Sequence, residues 1–310
     1  MTTEPKQRIK IAIQKKGRLH DDTLNMFKNA GFRFTRDSTG FIMPCENAEF
    51  DLVLLRDDDI PTVVAQGACE LGIVGKNVLF EDVCREKYTT PGGDSEIEQN
   101  TKELKELPFG KCRLSLAASN NNSYYRHFHN IASLNNVVNV ATSYPYSLIQ
   151  YAKQNKLQLK PKILKGSVEI APRLKITDII CDLVSSGLTL KQNELMEVPS
   201  GTVLESTAIV IGNKNFNEDY QTYKDIILKI DASFASQGVK YIMLNCEEQN
   251  VEKIVEILPS AKTPTIIPLA ENGMRAIHAM CKEGELWSKY QMLQDAGATS
   301  ILVMSVEKVM

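Results

Sequence analysis

No stretch of this chain approaches the ~18 consecutive apolar residues that cross a bilayer. The first residues, Met1 to Gln7, are polar and lack the apolar core of a signal peptide. The expectation is a cytoplasmic protein. Cysteine is present but unorganised: seven residues, scattered, with no Cys-x-x-Cys pair. Zinc ribbons and disulfide frameworks need pairs, so buried reduced thiols are the reading. An excess of either charge is also missing, for the formal net charge is −2, and the overall balance draws the chain neither to nucleic acid nor to an anionic membrane. A Walker-type Gly-x-x-x-x-Gly-Lys-Ser/Thr is absent. So is any Ser-His-Asp or Cys-His pairing of the kind that marks nucleophilic catalysis. His127-x-His129 sits in an Asn-rich stretch without nearby cysteines or carboxylates, and reads as a solvated loop before it reads as a metal site.

What the chain does have is regular alternation. Its 310 residues are enough for two or three domains with sizeable cores. Short β-branched runs recur at 9–13, 51–55, 71–74, 112–117, 137–141, 179–184 and 203–211, with helix-like stretches between them. Runs that are apolar at nearly every position fit strands covered on both faces, hence an α/β architecture. One helix start is explicit: Asp59 as cap, Pro61 in the first turn, Gly67 as stop. The stretch 89–105, with Pro-Gly-Gly and then mixed charge, reads as a linker, and so does 213–220. Beyond it the pattern predicts a helix at 223–236, a strand at 240–245, a helix at 251–258, a strand at 265–269, a helix at 286–295 and a strand at 300–306. That order suits a small ferredoxin-like α+β module.

Chemistry gathers at strand ends. Asp178-Ile-Ile-Cys-Asp182-Leu-Val-Ser185-Ser186-Gly187-Leu188-Thr189-Leu190 reads as a strand with two carboxylates, then a turn opening a helix. Hydroxyls and free N–H groups at such a turn suit a phosphate dianion, and Gly187 lets backbone approach it closely. A plain capping turn fits the residues equally well. Gln14-Lys15-Lys16-Gly17-Arg18-Leu19 follows the first strand, where open α/β sheets bind ligands. Its cations suit an anionic substrate, or simply a solvated basic turn. In Arg56-Asp57-Asp58-Asp59-Ile60-Pro61 the arginine can clamp phosphate, while the carboxylates either cap the next helix or help hold Mg²⁺. Ala141-Thr142-Ser143-Tyr144-Pro145 offers hydroxyls and a ring able to stack on a base, and Gly166-Ser167-Val168-Glu169 offers a carboxylate. Each alone is weak evidence. Five together point to a ligand with phosphates and a base.

These segments, in this order, resemble the ATP phosphoribosyltransferase family, together with Leu71-Gly72-Ile73-Val74-Gly75-Lys76-Asn77-Val78, Cys112-Arg113-Leu114-Ser115-Leu116-Ala117, Pro264-Thr-Ile-Ile-Pro-Leu269 and Gly297-Ala-Thr-Ser-Ile-Leu-Val303. The resemblance implies a two-lobed catalytic core similar to type II periplasmic binding proteins, plus a ferredoxin-like (ACT-like) regulatory domain. Lobe I is expected at 1–106 and 190–222, lobe II at 107–189, and the regulatory domain at 223–310. The implied reaction moves the phosphoribosyl group of phosphoribosyl pyrophosphate to N1 of ATP, with Mg²⁺ as cofactor, in the first step of histidine biosynthesis. By position, Asp178, Asp182, Ser185, Ser186, Gly187, Leu188 and Thr189 would bind phosphoribosyl pyrophosphate. Lys15, Arg18 and Arg56 would face its pyrophosphate and the triphosphate of ATP. Thr142, Tyr144 and Glu169 would serve the ATP side. In the tail, Glu247, Ala261, Thr265, Met280 and Ser300 match positions that line an inhibitory L-histidine site. Leu188 stands where some members carry arginine, which shifts phosphate binding towards the backbone.

Shorter members of the family need a separate regulatory subunit. A chain with its own tail is expected to form a homohexamer in equilibrium with a dimer. Adenine N1 is already a nucleophile, so no strong base is required, and positioning plus charge stabilisation would carry the reaction. The rival reading from another class is a non-catalytic two-lobed small-molecule sensor. Turnover with the two substrates separates the two.

Overall fold

The computed structural model describes residues 8–38, 40–120, 137–259 and 263–309. The pair His127 and His129 and the expected histidine-site residue Ala261 lie outside them. The chain forms two compact units, a larger one that runs to Thr222 and a smaller one from Tyr223 onward.

The larger unit begins with β1 (Ile9–Gln14), α1 (Arg18–Asn29), β2 (Ile42–Pro44), β3 (Phe50–Leu55), α2 (Ile60–Ala65), β4 (Leu71–Gly75), α3 (Lys76–Thr89), α4 (Glu96–Asn100) and β5 (Thr101–Glu106). β4 is buried at almost every position and β1 at all but Lys10 and its last residue, as their largely apolar runs require of strands with helices on both sides. Gly72 is where α2 comes closest: a Cβ there would meet the Ile60 and Val64 side chains at 2.7 and 2.9 Å. On the opposite face α1 buries Met26 and Phe27, and Phe27 packs on Phe32, Phe34 and Phe50 with ring centroids 5.6–6.0 Å apart.

The chain then crosses to a second sheet made of β6 (Cys112–Ser119), β7 (Val138–Thr142), β8 (Leu159–Ile163), β9 (Ile179–Val184) and β10 (Leu195–Ser206), with α5 (Pro145–Gln154) and α6 (Leu188–Gln192). It returns as β11 (Ala208–Asn213). The sheet orders are β2-β3-β1-β4-β11-β5 and β10-β6-β9-β7-β8, so two lobes are joined by two crossings. The crossings run side by side: Leu107 N–H donates to Ala208 O at 2.9 Å and Ala208 N–H to Phe109 O at 3.1 Å. Thr207, buried between them, donates its hydroxyl to the carbonyls of Leu107 and Phe109. Gly110 is required here, because its φ of +70° is left-handed and a Cβ would lie 3.3 Å from the Ala208 nitrogen.

Several expectations change. The apolar run 203–211 is two strands in two sheets, since β10 pairs with β6 and β11 with β4. The return to the first lobe therefore falls at Thr207 rather than at 190. No glycine or proline marks that switch, which is why the run reads as one strand. The charged end of 89–105 is β5, which among the described residues is an edge strand paired with β11, where Thr-Lys-Glu-Leu-Lys-Glu protects an open edge. Asp59 does stand at the N-cap of α2, yet its side chain makes no capping bond, because a 3₁₀ turn, Asp57–Asp59, already leads into the helix. Gly67 follows that helix at φ +73° as expected. All seven cysteines are free thiols.

The smaller unit contains α7 (Gln221–Ala235), which starts at its boundary, then β12 (Val239–Glu247), α8 (Val251–Ile257), β13 (Thr265–Pro268), β14 (Met274–Lys282), α9 (Glu283–Asp295) and β15 (Thr299–Ser305). The sheet order is β13-β14-β12-β15, antiparallel throughout. Ile242, Leu244 and Cys246 with Ile277, Ala279 and Cys281 pack on Ile254, Leu286 and Leu293 to form its core. This is the ferredoxin-like α+β module. β14 was not legible as a strand. Its Met-Arg-Ala-Ile-His-Ala-Met-Cys-Lys is poor in β-branched residues, although Ile277, Ala279 and Cys281 alternate inward.

Candidate active site

The parallel strands of each lobe point their carboxyl ends into one cleft. In the first lobe β1 runs parallel to β3 and β4, and in the second β7 runs parallel to β8 and β9. The cleft, ≈ 290 Å³, is lined by Gln14, Arg18, Asp57 and Asn77 from the first lobe and by Tyr144, Leu183 and Ser185 from the second, with Lys111 and Cys112 near the crossing. A connected recess is lined by Lys76, Lys111, Arg113 and Ser185. A larger groove of ≈ 660 Å³ lies between α3 and α5. Its walls mix apolar residues (Leu79, Phe80, Val83, Ile149) with Lys76, Lys87, Glu98 and Lys153, and no carboxyl ends of parallel strands meet there, so size does not identify the site.

From the first lobe, Lys15 is tied by its N–H to Leu55 O at 2.7 Å, which joins the β1 and β3 ends. Its ammonium stands 3.9 Å from the Phe41 ring centroid, a cation–π contact. Gly17, at φ +105°, turns the chain so that Arg18 opens α1. Arg18 reaches only a loose pair with Asp22 at 3.9 Å and is exposed to the cleft. Arg56 is exposed at the turn before α2. It does not line the cleft, whereas the half-buried Asp57 beside it does.

From the second lobe, Thr142 is fully buried and its Oγ1 accepts the Tyr144 N–H at 2.9 Å. It shapes the turn rather than presenting a hydroxyl to a ligand, which corrects the expectation that it faces ATP. Tyr144 lines the cleft, and its hydroxyl accepts from Asn77 Nδ2 at 3.1 Å. Burial pushes its phenol up, so it stays neutral at physiological pH. Asp182 is half-buried, with Oδ1 accepting the Leu183 N–H at 2.8 Å. Burial first, and then the charge of Glu169, raise its carboxyl above the usual range. Glu169 and Asp182 thus share one electrostatic neighbourhood.

Ser185, Ser186 and Gly187 follow β9 as a turn that leads into Leu188 and Thr189, the first residues of α6. Gly187 takes φ +75° with open space around its Cα, and Leu188 is 59% exposed. Among the described residues no hydrogen bond engages the N–H groups of Ser185, Ser186 or Gly187. The helix that follows has only five residues, so the dipole expected there is small, and the loop offers its bare donors and hydroxyls instead. Asp178 does not join them. It is exposed at the opposite end of β9, four residues and ~13 Å from Asp182.

Asn77 was not singled out by the sequence. Its Nδ2 holds Tyr144, its Oδ1 accepts from Ser206 Oγ at 2.9 Å, and its N–H donates to the same hydroxyl at 2.9 Å. The signal was Gly75: a Cβ there would collide with Asn77 Oδ1.

In the smaller unit the expected histidine positions are spread out. Thr265 and Ser300 lie on opposite edge strands, β13 and β15, three strand spacings or ~14 Å apart. Glu247 pairs with Met274 at one end of the sheet and Met280 with Tyr241 at the other, ~20 Å along β12. One chain does not bring these four together.

Comparison with known proteins agrees with this geometry. A family model described as ATP phosphoribosyltransferase matches residues 56–232, and one described as HisG, C-terminal domain, matches 236–308. Among solved structures, the ATP phosphoribosyl transferase (HisG:HisZ) complex from Thermotoga maritima is 22% identical, with a TM-score of 0.58, over 74% of this chain and 98% of that one. The probable amino-acid transporter binding protein YtmK from Bacillus subtilis is 11% identical, with a TM-score of 0.45, over 74% and 93%. With two lobes crossing twice and both family models matching in sequence, the chain belongs to the ATP phosphoribosyltransferase family, histidine-biosynthesis enzymes, in the long form that carries its own C-terminal domain.

Proposed function

We propose that the chain transfers the 5-phosphoribosyl group of phosphoribosyl pyrophosphate to N1 of ATP and releases pyrophosphate. The observation that carries this reading is the cleft itself, in which strand ends from both lobes set a neutral phenol and a free-donor loop opposite Arg18 and Lys111. The bond from the ribose anomeric carbon to pyrophosphate breaks as the lone pair of adenine N1 forms the new C–N bond. The 185–189 loop holds the 5′-phosphate through its N–H groups and hydroxyls, with Leu188 contributing backbone only. Asp182 accepts from the ribose hydroxyls, and Tyr144 and Glu169 orient the adenine side. Arg18 and Lys15 offset charge on the departing pyrophosphate, closing the lobes aligns the two reactants, and Arg56, outside the cleft as it stands, joins them only if that closure carries it in.

Among the described residues no three His, Cys, Asp or Glu side chains form a metal cluster. Single carboxylates at Asp57 and Asp182 suit a magnesium ion held mainly by substrate phosphate oxygens, not one caged by protein. When bound, magnesium supplies charge neutralisation at the leaving group.

We further propose inhibition by L-histidine, at a site assembled between copies of the chain in a homohexamer that exchanges with a dimer. The separation of Thr265, Ser300, Glu247 and Met280 in one chain supports this reading. Among the described residues no helix is long and apolar enough to cross a membrane, and we place the enzyme in the cytoplasm. The test is turnover: ATP, phosphoribosyl pyrophosphate and Mg²⁺, read by the ultraviolet absorbance of N1-ribosylated adenine, with and without L-histidine. Product that falls with histidine supports both assignments. Absence of product from folded protein that still binds both substrates overturns the catalytic one.

A further inference from the structure

Helix α5 starts in an unusual way. Its N-cap position is Tyr144, which makes no side-chain capping bond, and Pro145 follows. Tyrosine is a poor cap compared with Ser, Thr, Asp or Asn, so the first-turn N–H groups need another acceptor. It comes from the other lobe. The Glu81 carboxylate on α3 accepts from Tyr146 N at 3.0 Å, from Ser147 N at 2.7 Å and from Ser147 Oγ at 2.6 Å. Ser147 is fully buried, so these bonds are shielded and charge-assisted. The negative charge also lies at the positive end of a ten-residue helix.

We propose that Glu81 is a positioning residue: it caps α5 from across the lobes and thereby frees position 144 to carry an aromatic ring into the nucleotide side of the cleft. Asn77, one turn earlier on the same helix, fixes the far end of that ring through the phenol oxygen. α3 therefore holds the Tyr144 turn at both its backbone and its ring, although Glu81 itself does not line the cleft. The consequence for substrate rests on the ATP assignment above, while the cap does not.

The test uses the full chain with Glu81→Ala and Glu81→Gln, the latter keeping one oxygen acceptor. Hydrogen exchange of the peptide around Tyr146 and Ser147, read by mass spectrometry, reports the cap. Titration calorimetry with ATP and separately with phosphoribosyl pyrophosphate reports the consequence. Expected for Glu81→Ala are faster exchange in that peptide, ATP binding weakened about tenfold or more, and phosphoribosyl pyrophosphate binding changed less than about twofold, the scale on which a small misplacement of a contact group acts. Glu81→Gln should recover part of the ATP affinity. Unchanged exchange, equal weakening of both ligands, or normal ATP affinity despite faster exchange each overturns the proposal. Wild-type protein that shows a protected peptide but binds no ATP counts against the ATP assignment and leaves the cap in place.

Discussion

Asp82 offers a quantitative test of burial against charge. It is 3% exposed, on the inward side of α3. Its Oδ1 lies 3.0 Å from the Arg85 guanidinium, and its Oδ2, fully buried, has no hydrogen-bond partner among the described residues. Burial pushes the carboxyl up to about 7, against the pull of Arg85 and with the repulsion of Asp58, Glu81 and Glu86 added. Between roughly pH 4 and 7 the folded chain keeps a proton that the unfolded chain releases. Stability contributed by this group therefore falls as pH rises through that window, and the full cost stands above it. A rise from 3.8 to about 7, at ~1.36 kcal/mol per tenfold in acidity, amounts to ~4 kcal/mol. Asp82→Asn installs a neutral group of the same shape. Wild type and variant should match below about pH 4, differ by roughly 1–2 kcal/mol near pH 5, and the variant should become more stable by up to ~4 kcal/mol near pH 8. Loss of the Arg85 pair subtracts little, because that arginine is 42% exposed. The assay is calorimetric unfolding of the larger unit from about pH 4 to 8. Trp287, the only tryptophan, identifies the transition of the smaller unit separately. A difference between the two proteins that does not change with pH refutes the reasoning.

Other outcomes follow from the same geometry. Asp182→Ala should lower kcat/KM for phosphoribosyl pyrophosphate by about a hundredfold or more with the far-ultraviolet spectrum unchanged, since it removes a group meant to bond the ribose; undiminished turnover removes Asp182 from the scheme. Gly110→Val should cost roughly 1–3 kcal/mol, because it imposes left-handed backbone on a β-branched residue against the Ala208 nitrogen; thermal unfolding measures it, and an unchanged midpoint shows that the crossings do not need the glycine.

How much of this was legible in the sequence depended on whether local pattern and tertiary role coincided. β1, β3, β4 and β9 stood out because burial on both faces demands the apolar runs that define them. β5 did not, since an edge strand hides itself with alternating lysine and glutamate. The 203–211 run misled because a chain can change sheets at one residue, Thr207, without a turn signal. Among the candidate residues, the placement of Tyr144 and Ser185 at the cleft follows from strand-end position. Thr142 was placed at the right turn with the wrong orientation, because a period-two strand fixes which face a side chain takes only when the register is known. Asp178 stands just before β9 and Asp182 within it, and spacing alone did not reveal which of the two lies towards the cleft end of the strand. Glu81 and Asn77 act across lobes on partners 66 and 67 residues away, beyond any local pattern.

The double crossing also fixes the order in which the two lobes can be completed during synthesis. The second sheet is built from one continuous stretch, β6 to β10. The first is not: β11 lies between β4 and β5, and β5 has no other strand to pair with. Until residue 213 has left the ribosome, the earlier-made lobe has an open seam beside its β4 strand, with β5 detached, while the sheet of the later-made lobe already has all its strands. The nascent chain therefore finishes its second half first, and that finished half returns the strand that closes the other.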